Sequence, residues 1–278
     1  MILFRTQILG GVFLLVAACI LLVPVFSHAN PFDHDHKTWN MLVKNNVHWN
    51  LNGTASQVNY LGFQNAHDFL QRYLSSLSSV TPEEFDTFSR DQQLAFLINA
   101  YNAFTVELIL TKYPDVFSIK DLGSFFSSPW KKKFFILLGE SQSLDGIEHA
   151  LIRGSGRYNE PLIHFAVNCA SIGCPALLDE AFVADKLDQQ LLESTKRFLH
   201  DRSRNRLDVK TGTLEVSSLF DWYEVDFTQG WRGYDSLHDF FRTHADWITD
   251  DAKASGGLRE TELQIEFLDY DWKLNSLH

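Results

Sequence analysis

The sequence predicts an α+β fold, a single helix-rich domain with a small, mainly antiparallel sheet. Several segments open with helix-capping signatures, strand signals are few and short, and the strands do not alternate regularly with helices as a doubly wound sheet requires. The chain has 278 residues, 45% hydrophobic and 14% aromatic, with 23 Phe and 7 Trp. That is ample material for one packed core. No Gly/Ser-rich or Pro-rich linker, repeat or low-complexity stretch divides it, so residues 30–278 read as a single globular domain.

Residues 1–29 stand apart. Arg5 is their only charge, and the apolar run ends in Ser27-His28-Ala29, small residues at the positions a signal peptidase reads before Asn30. The expectation is a cleaved signal peptide and an exported protein, periplasmic or secreted. Two alternatives share the same residues. The run is long enough for an uncleaved anchor facing the periplasm. Val16-Ala17-Ala18-Cys19 also resembles a lipoprotein signal, although the chain stays apolar after Cys19.

The helices follow in order. Thr81-Pro82-Glu83-Glu84 pairs a capping residue with Pro at the first helical position, and Ser89-Arg90-Asp91-Gln92 is a capping box. The second opens a long apolar helix that Tyr113-Pro114 stops near Lys112. Asp145 is placed to cap another, with Glu148 at its third position and His149 next. Ala184 to about Asp201 carries Leu187, Leu191, Leu192 and Phe198 at helical spacing, and Ser236 with Asp239 opens a last helix towards Trp247. Among strands, Arg206–Val209 and Leu214–Val216 flank a Lys210–Thr213 turn as a hairpin. Leu162–Val167 reads as a short buried strand, and Leu263, Ile265 and Phe267 alternate.

Acidic residues outnumber basic ones 35 to 24, a formal charge of -11, and no basic stripe occurs. Nucleic-acid binding, which needs Lys and Arg against phosphates, is excluded as the main function. A membrane partner is expected only if the N-terminal segment is retained. Asp33-His34-Asp35-His36 has metal-ligand types, but no His-Glu-x-x-His or paired Cys-x2-Cys spacing occurs, so neither a metal nor a cofactor is expected.

Certain polar residues sit in apolar surroundings. Asn99 and Asn102 lie three apart on one face of the long helix; they either bond loop backbone across the core or shape a polar cleft. In the expected strand His164, Ala166 and Asn168 share a face, and Cys169 stands where it runs out into a turn through Ser171, Gly173, Cys174 and Pro175. A thiol there needs a base to become a nucleophile, and His149 and His164 are the candidates, with Glu148 or an Asn to orient the imidazole. Cys169 and Cys174 are the cysteines left after signal removal and can equally close a disulfide loop in an oxidising compartment.

These stretches resemble the domain-of-unknown-function family numbered 547, found in exported bacterial proteins and in plant and animal proteins. The resemblance rests on Asn99-Ala-Tyr-Asn102, Leu144-Asp-Gly-Ile-Glu-His149, His164-Phe-Ala-Val-Asn-Cys169 with Ser171 and Cys174-Pro175, and Phe267-Leu-Asp-Tyr-Asp-Trp272 with Leu274-Asn275. The family has no assigned reaction and is distantly similar to papain-like and transglutaminase-like thiol enzymes. Family members can carry Ser where this chain has Cys174 while keeping Cys at the position of Cys169, which implies Cys169 as the nucleophile. Both histidines precede the cysteine, the reverse of papain-like order, so the resemblance implies a permuted arrangement.

The expected function is a thiol-dependent hydrolase or acyltransferase acting on an amide or peptide-like bond in the cell envelope. Cys169 attacks, His149 or His164 takes its proton, Glu148 steadies the imidazolium, and Asn168 or Asn99 donates to the oxyanion. Asn102 and Ser171 support the cleft. The alternative is a non-catalytic envelope protein that holds a ligand or partner in the same cleft. Beside both stands a purely internal hydrogen-bond network with a disulfide staple.

Overall fold

A computed structural model describes residues 31–124 and 127–277; the expected signal segment, with Cys19 and the Asn30 boundary, lies outside the described residues. In chain order the elements are α1 (Lys37–Asn46), β1 (Val47–Trp49), β2 (Ser56–Val58), α2 (Tyr60–Asn65), α3 (His67–Ser79), α4 (Pro82–Thr87), α5 (Arg90–Leu110), β3 (Phe135–Leu137) and β4 (Glu140–Gln142). Then come α6 (Leu187–Leu199), β5 (Arg206–Asp208), β6 (Thr213–Ser217), α7 (Leu219–Trp222), α8 (Leu237–Thr243), α9 (Ala245–Ile248), α10 (Ala252–Glu260) and β7 (Gln264–Leu268). The residues from Phe32 onward form one compact unit, a helix-rich α+β domain.

Helix α5 is the axis of the core. Ser89 accepts from Gln92 N–H while the Gln92 side chain accepts from Ser89 N–H, the reciprocal box its sequence announces. It is apolar all round and buried without a break from Gln93 to Val106, as such a helix must be. Among the described residues it is the one helix long and apolar enough to cross a membrane, and 89% of that apolar window is buried inside the protein. Helices α2 and α3 pack beside it and α1 packs on both of them, while α6 packs on residues Pro161–Phe165 and on α9, which meets α8.

The strands form three small sheets. β1 pairs with β2 and β3 with β4, both antiparallel. In the third, β5 and β6 are the expected hairpin, with Leu207 opposite Leu214, and β7 joins β6 in parallel, with Ile265 opposite Leu214. Beyond β7 the chain runs back along the Cys169 turn: Gly173 N–H donates to Asp271 O, Ile172 N–H to Lys273 O, and Asn275 N–H to Ala170 O. Val58 N–H donates to Asn275 O, so this strap ties the turn to β2.

Two expectations are corrected. Leu162–Val167 is not a strand: Pro161–Phe165 is a 3-10 helix, started by Pro161 and capped by Glu160, whose carboxylate accepts from Leu162 N–H at 3.0 Å. A short apolar run buried on every side has no periodicity to tell the two apart. Asp145 makes no cap. Ser143 takes that place, accepting from Gly146 N–H at 3.0 Å, and Gly146–Arg153 continues as a π-helix.

Candidate active site

The Cys169 turn is held from behind by α5. Asn102 accepts from Asn168 N–H at 2.8 Å and donates to Ala166 O at 2.9 Å; one turn earlier Asn99 accepts from Phe182 N–H at 3.0 Å and donates to Phe182 O at 2.7 Å. Both amides thus satisfy loop backbone across the core, and neither lines the cleft described below. Asn168 folds the turn on itself, accepting from Ala170 N–H at 2.9 Å and donating to Pro175 O at 2.7 Å. Ala170, buried, takes a left-handed φ of 62°, a conformation that costs an ordinary residue roughly 1–2 kcal/mol. Surrounding bonds impose it, and such outliers cluster at functional sites.

Cys169 and Cys174 are joined as a disulfide with Cα atoms 6.1 Å apart, so the staple that the sequence left open is present. Cys169 Sγ lies 3.1 Å from Ser171 Oγ and 3.2 Å from the Tyr270 hydroxyl. Tyr270 reaches the sulfur because Gly173 lets it pass: a Cβ at Gly173 would come within 2.9 Å of the Tyr270 ring. Burial pushes the Tyr270 hydroxyl well above its ordinary pKa, so it is a neutral donor.

The π-helix supplies the next group. Its wide turn puts buried Glu148 inward while His149 and Arg153 share an edge, and Arg153 Nη1 donates to His149 Nδ1 at 2.7 Å. π-helical turns recur at functional sites. Arg153 also clamps Asp226 with two donors, Nε at 2.5 Å and Nη2 at 3.1 Å. Asp226 in turn accepts from His164 Nε2 at 2.7 Å. With Nε2 carrying the proton, Nδ1 of a neutral His164 is an acceptor. It faces Glu148 Oε1 at 3.9 Å, and neither atom has a hydrogen-bond partner.

Burial lowers the His164 pKa and outweighs the Asp226 hydrogen bond and the Glu148 charge, so the imidazole rests neutral. Burial alone would raise the Asp226 carboxyl, but hydrogen bonds from His164 and Arg153 overcome it and hold the pKa at about 2. Tyr223 stacks on His164 with ring centroids 3.8 Å apart; burial first, then neighbouring Glu148, raises its hydroxyl pKa far above the ordinary value.

These groups open into one cleft of ≈ 150 Å³. Four of the candidate residues line it together: Glu148, His149, His164 and Cys169. Asn99, Asn102 and Asn168 stand behind the turn, and Ser171 sits beside the sulfur. Sequence reasoning gave no role to Arg153, Tyr223, Asp226, Trp130 or Trp222, and it singled out Tyr270 and Trp272 only within the Phe267–Trp272 stretch that carries the family resemblance. At the rim of the cleft Trp222 and Trp272 stack at 5.5 Å, and Trp130 meets Trp272 edge-on at 5.7 Å. For the acid cluster the available signal was Arg153 itself, five residues after Glu148 on the same predicted helix. The Asp33–His36 motif serves elsewhere: His36 Nδ1 pairs with the Tyr73 hydroxyl at 2.8 Å, and burial lowers its pKa to about 4. Among the described residues no group of three or more His, Cys, Asp or Glu side chains is arranged to hold a metal ion.

No curated protein and no solved structure matches the chain. Residues 85–199, from α4 through the π-helix and the Cys169 turn to the end of α6, match a family model described as protein of unknown function, DUF547. That segment, which carries both asparagine clamps and all four of the cleft's candidate residues, belongs to the DUF547 family.

Proposed function

We propose that the cleft is the active site of an exported thiol-dependent hydrolase or acyltransferase acting on an amide or peptide-like bond in the cell envelope. The observation that carries the reading is His164, pinned through Nε2 by Asp226 with its buried Nδ1 unpaired, lining the same cleft as Cys169, whose sulfur itself contacts Ser171 and Tyr270. This is the base-plus-orienter arrangement of thiol and hydroxyl nucleophiles, defined by geometry and not by chain order.

The disulfide is the resting form. A dithiol reductant supplies two electrons and two protons to release both thiols. His164 Nδ1 then takes the Cys169 proton, and Asp226 with Glu148 steadies the imidazolium. The thiolate attacks the carbonyl, the leaving amine takes the proton back, and water or another nucleophile releases the acyl group. The Asn99 and Asn168 amide donors are committed to the Phe182 and Pro175 carbonyls, so the oxyanion falls to the Tyr270 or Ser171 hydroxyl.

After mild reduction, Cys169 is expected to react with iodoacetamide near neutral pH faster than Cys174. His164→Ala should slow it severalfold, at most about tenfold for each unit by which the thiol pKa returns towards roughly 8.5. Equal, slow labelling of both cysteines, unchanged by His164→Ala, would remove the nucleophile. A second reading, a non-catalytic binding protein, is favoured by the disulfide and the tryptophan rim. It predicts that Cys169→Ser leaves ligand binding intact with no turnover in either protein.

Export rests on the first 29 residues. Mass spectrometry of the exported chain should find Asn30 at its N-terminus; an acylated Cys19 or an intact Met1 in the membrane fraction would replace cleavage with one of the two anchored forms.

A further inference from the structure

We infer that the inner end of the cleft is a subsite for an alkylammonium group, the charged end of a lysine-like side chain. The inference rests on the proposed reading of this cleft as the substrate site, and it names the amine side of that substrate.

The starting point is a pair of acceptors with no donor between them. Glu148 and His164 are 5% and 1% exposed, and Glu148 Oε1 and His164 Nδ1, 3.9 Å apart, each lack a hydrogen-bond partner. Leaving a buried acceptor unpaired costs about 1–3 kcal/mol, more for a charged one. A group that satisfies both must bring at least two hydrogens on one atom. A hydroxyl brings one and leaves the other acceptor orphaned; a water brings two without charge, and an ammonium brings three with a charge to set against Glu148. Charge points the same way. Asp145 and Glu148 line the site, no Lys or Arg among the described residues lines it, and Arg153 is spent on balancing Asp226 behind His164. A carboxylate or phosphate would meet unbalanced negative charge.

The walls agree with the floor. The Tyr223 ring lies against His164, and Tyr101 and Trp222 line the same cleft. Aromatic faces around a cation contribute about 0.5–2 kcal/mol. A cavity near 150 Å³ takes a ligand of about six heavy atoms, by comparison with a dry cavity of that size that binds benzene. The two acceptor atoms are closed to bulk water in this structure, so a bound nitrogen reaches them only as the inner wall of the cleft yields. In the proposed reaction this is the place of the departing amine. His164 returns to it the proton taken from Cys169, releasing a neutral amine, and a second proton from solvent makes the ammonium that Glu148 holds.

The test is a tryptophan-fluorescence titration of the oxidised full chain at neutral pH with n-pentylamine, 1-pentanol and pentanoate. Because the disulfide is intact, the result does not depend on thiol chemistry. Pentylamine should bind saturably, at least about tenfold tighter than pentanol, as one further charge-assisted hydrogen bond of about 1.5–3 kcal/mol requires. Pentanoate should not bind, and Glu148→Gln should erase the preference for amine over alcohol. Pentanol binding as tightly as the amine, tighter binding of pentanoate, or no saturable response to pentylamine each overturns the subsite. The wild-type comparison decides the matter even if Glu148→Gln does not fold. Loss of the amine preference alongside a reactive reduced Cys169 would discard the subsite and leave the thiol mechanism standing.

Discussion

Replacing Asp226 with alanine is expected to destabilise the protein by about 3–5 kcal/mol, the usual result of removing one partner from a buried ion pair. The Asp226 side chain is 4% exposed and serves two donors, Arg153 through both oxygens and His164 through one. Its loss leaves a mostly buried guanidinium without its counter-charge and an imidazole without its orienter. The double variant Asp226→Ala/Arg153→Ala should recover part of the loss, since it removes both charges together. Urea unfolding measures this; a cost below about 1 kcal/mol, or strict additivity in the double variant, would show that the pair is not coupled.

The pH profile sharpens the prediction. His164 has a folded pKa below the ordinary 6.5, so the stability it contributes is complete above that value and is lost as pH falls and the unfolded chain takes the proton first. His36 and His244, both lowered to about 4 chiefly by burial, add to this stage. Asp226 follows lower down. Its contribution is present above 3.8 and disappears as pH falls towards about 2, a span worth about 2 kcal/mol. Wild type should therefore lose stability in two acid stages, and in Asp226→Ala the second should be shallower, carried only by Asp201, Asp208, Asp246 and Asp250, whose pKa values are also lowered. An Asp226→Ala curve parallel to wild type between about pH 4 and 2 would contradict the assignment.

What the sequence made legible was whatever it encodes locally. The caps at Thr81, Ser89 and Ser236 lie where their side chains accept from Glu84, Gln92 and Asp239 N–H. The β5–β6 hairpin and β7 follow from alternation. The buried amides of α5 were visible because Asn is out of place in an apolar helix, and the backbone-bonding account of them is the observed one. Illegible were features set by distant partners. Asp226 lies in the ordinary-looking run Asp221-Trp-Tyr-Glu-Val-Asp226, and only tertiary packing brings it 62 positions back to His164. Tyr270 gains its place from the parallel pairing of β7 with β6, a register no local pattern announces. The π-helix was missed because Ser143, not Asp145, satisfies the first turn, which moves every later residue relative to the cap.

The clamps on α5 allow the turn's structural and functional roles to be separated. Asn102→Ala strands two buried backbone groups, Asn168 N–H and Ala166 O, while Asn99→Ala strands Phe182 N–H and O. At about 1–3 kcal/mol for each orphaned group, partly offset by relaxation, either variant should cost on the order of 3 kcal/mol in urea unfolding. Their effects on the cleft should differ. Asn102 holds Asn168, and Asn168 fixes the left-handed Ala170 and thereby the direction of the Cys169 side chain. Asn99 holds a loop thirteen residues further along the chain and touches none of these groups. Reduced Asn102→Ala protein, under conditions where it remains folded, should therefore lose the fast alkylation of Cys169, whereas Asn99→Ala should keep it despite a similar loss of stability. Equal alkylation rates in the two variants would mean that the turn keeps its shape without the Asn102 clamp. The strain at Ala170 would then be held by the Asn168 side chain and the strap bond from Asn275 N–H to Ala170 O, and Asn275→Pro, which deletes the strap donor, would become the next variant to test for disorder at the sulfur.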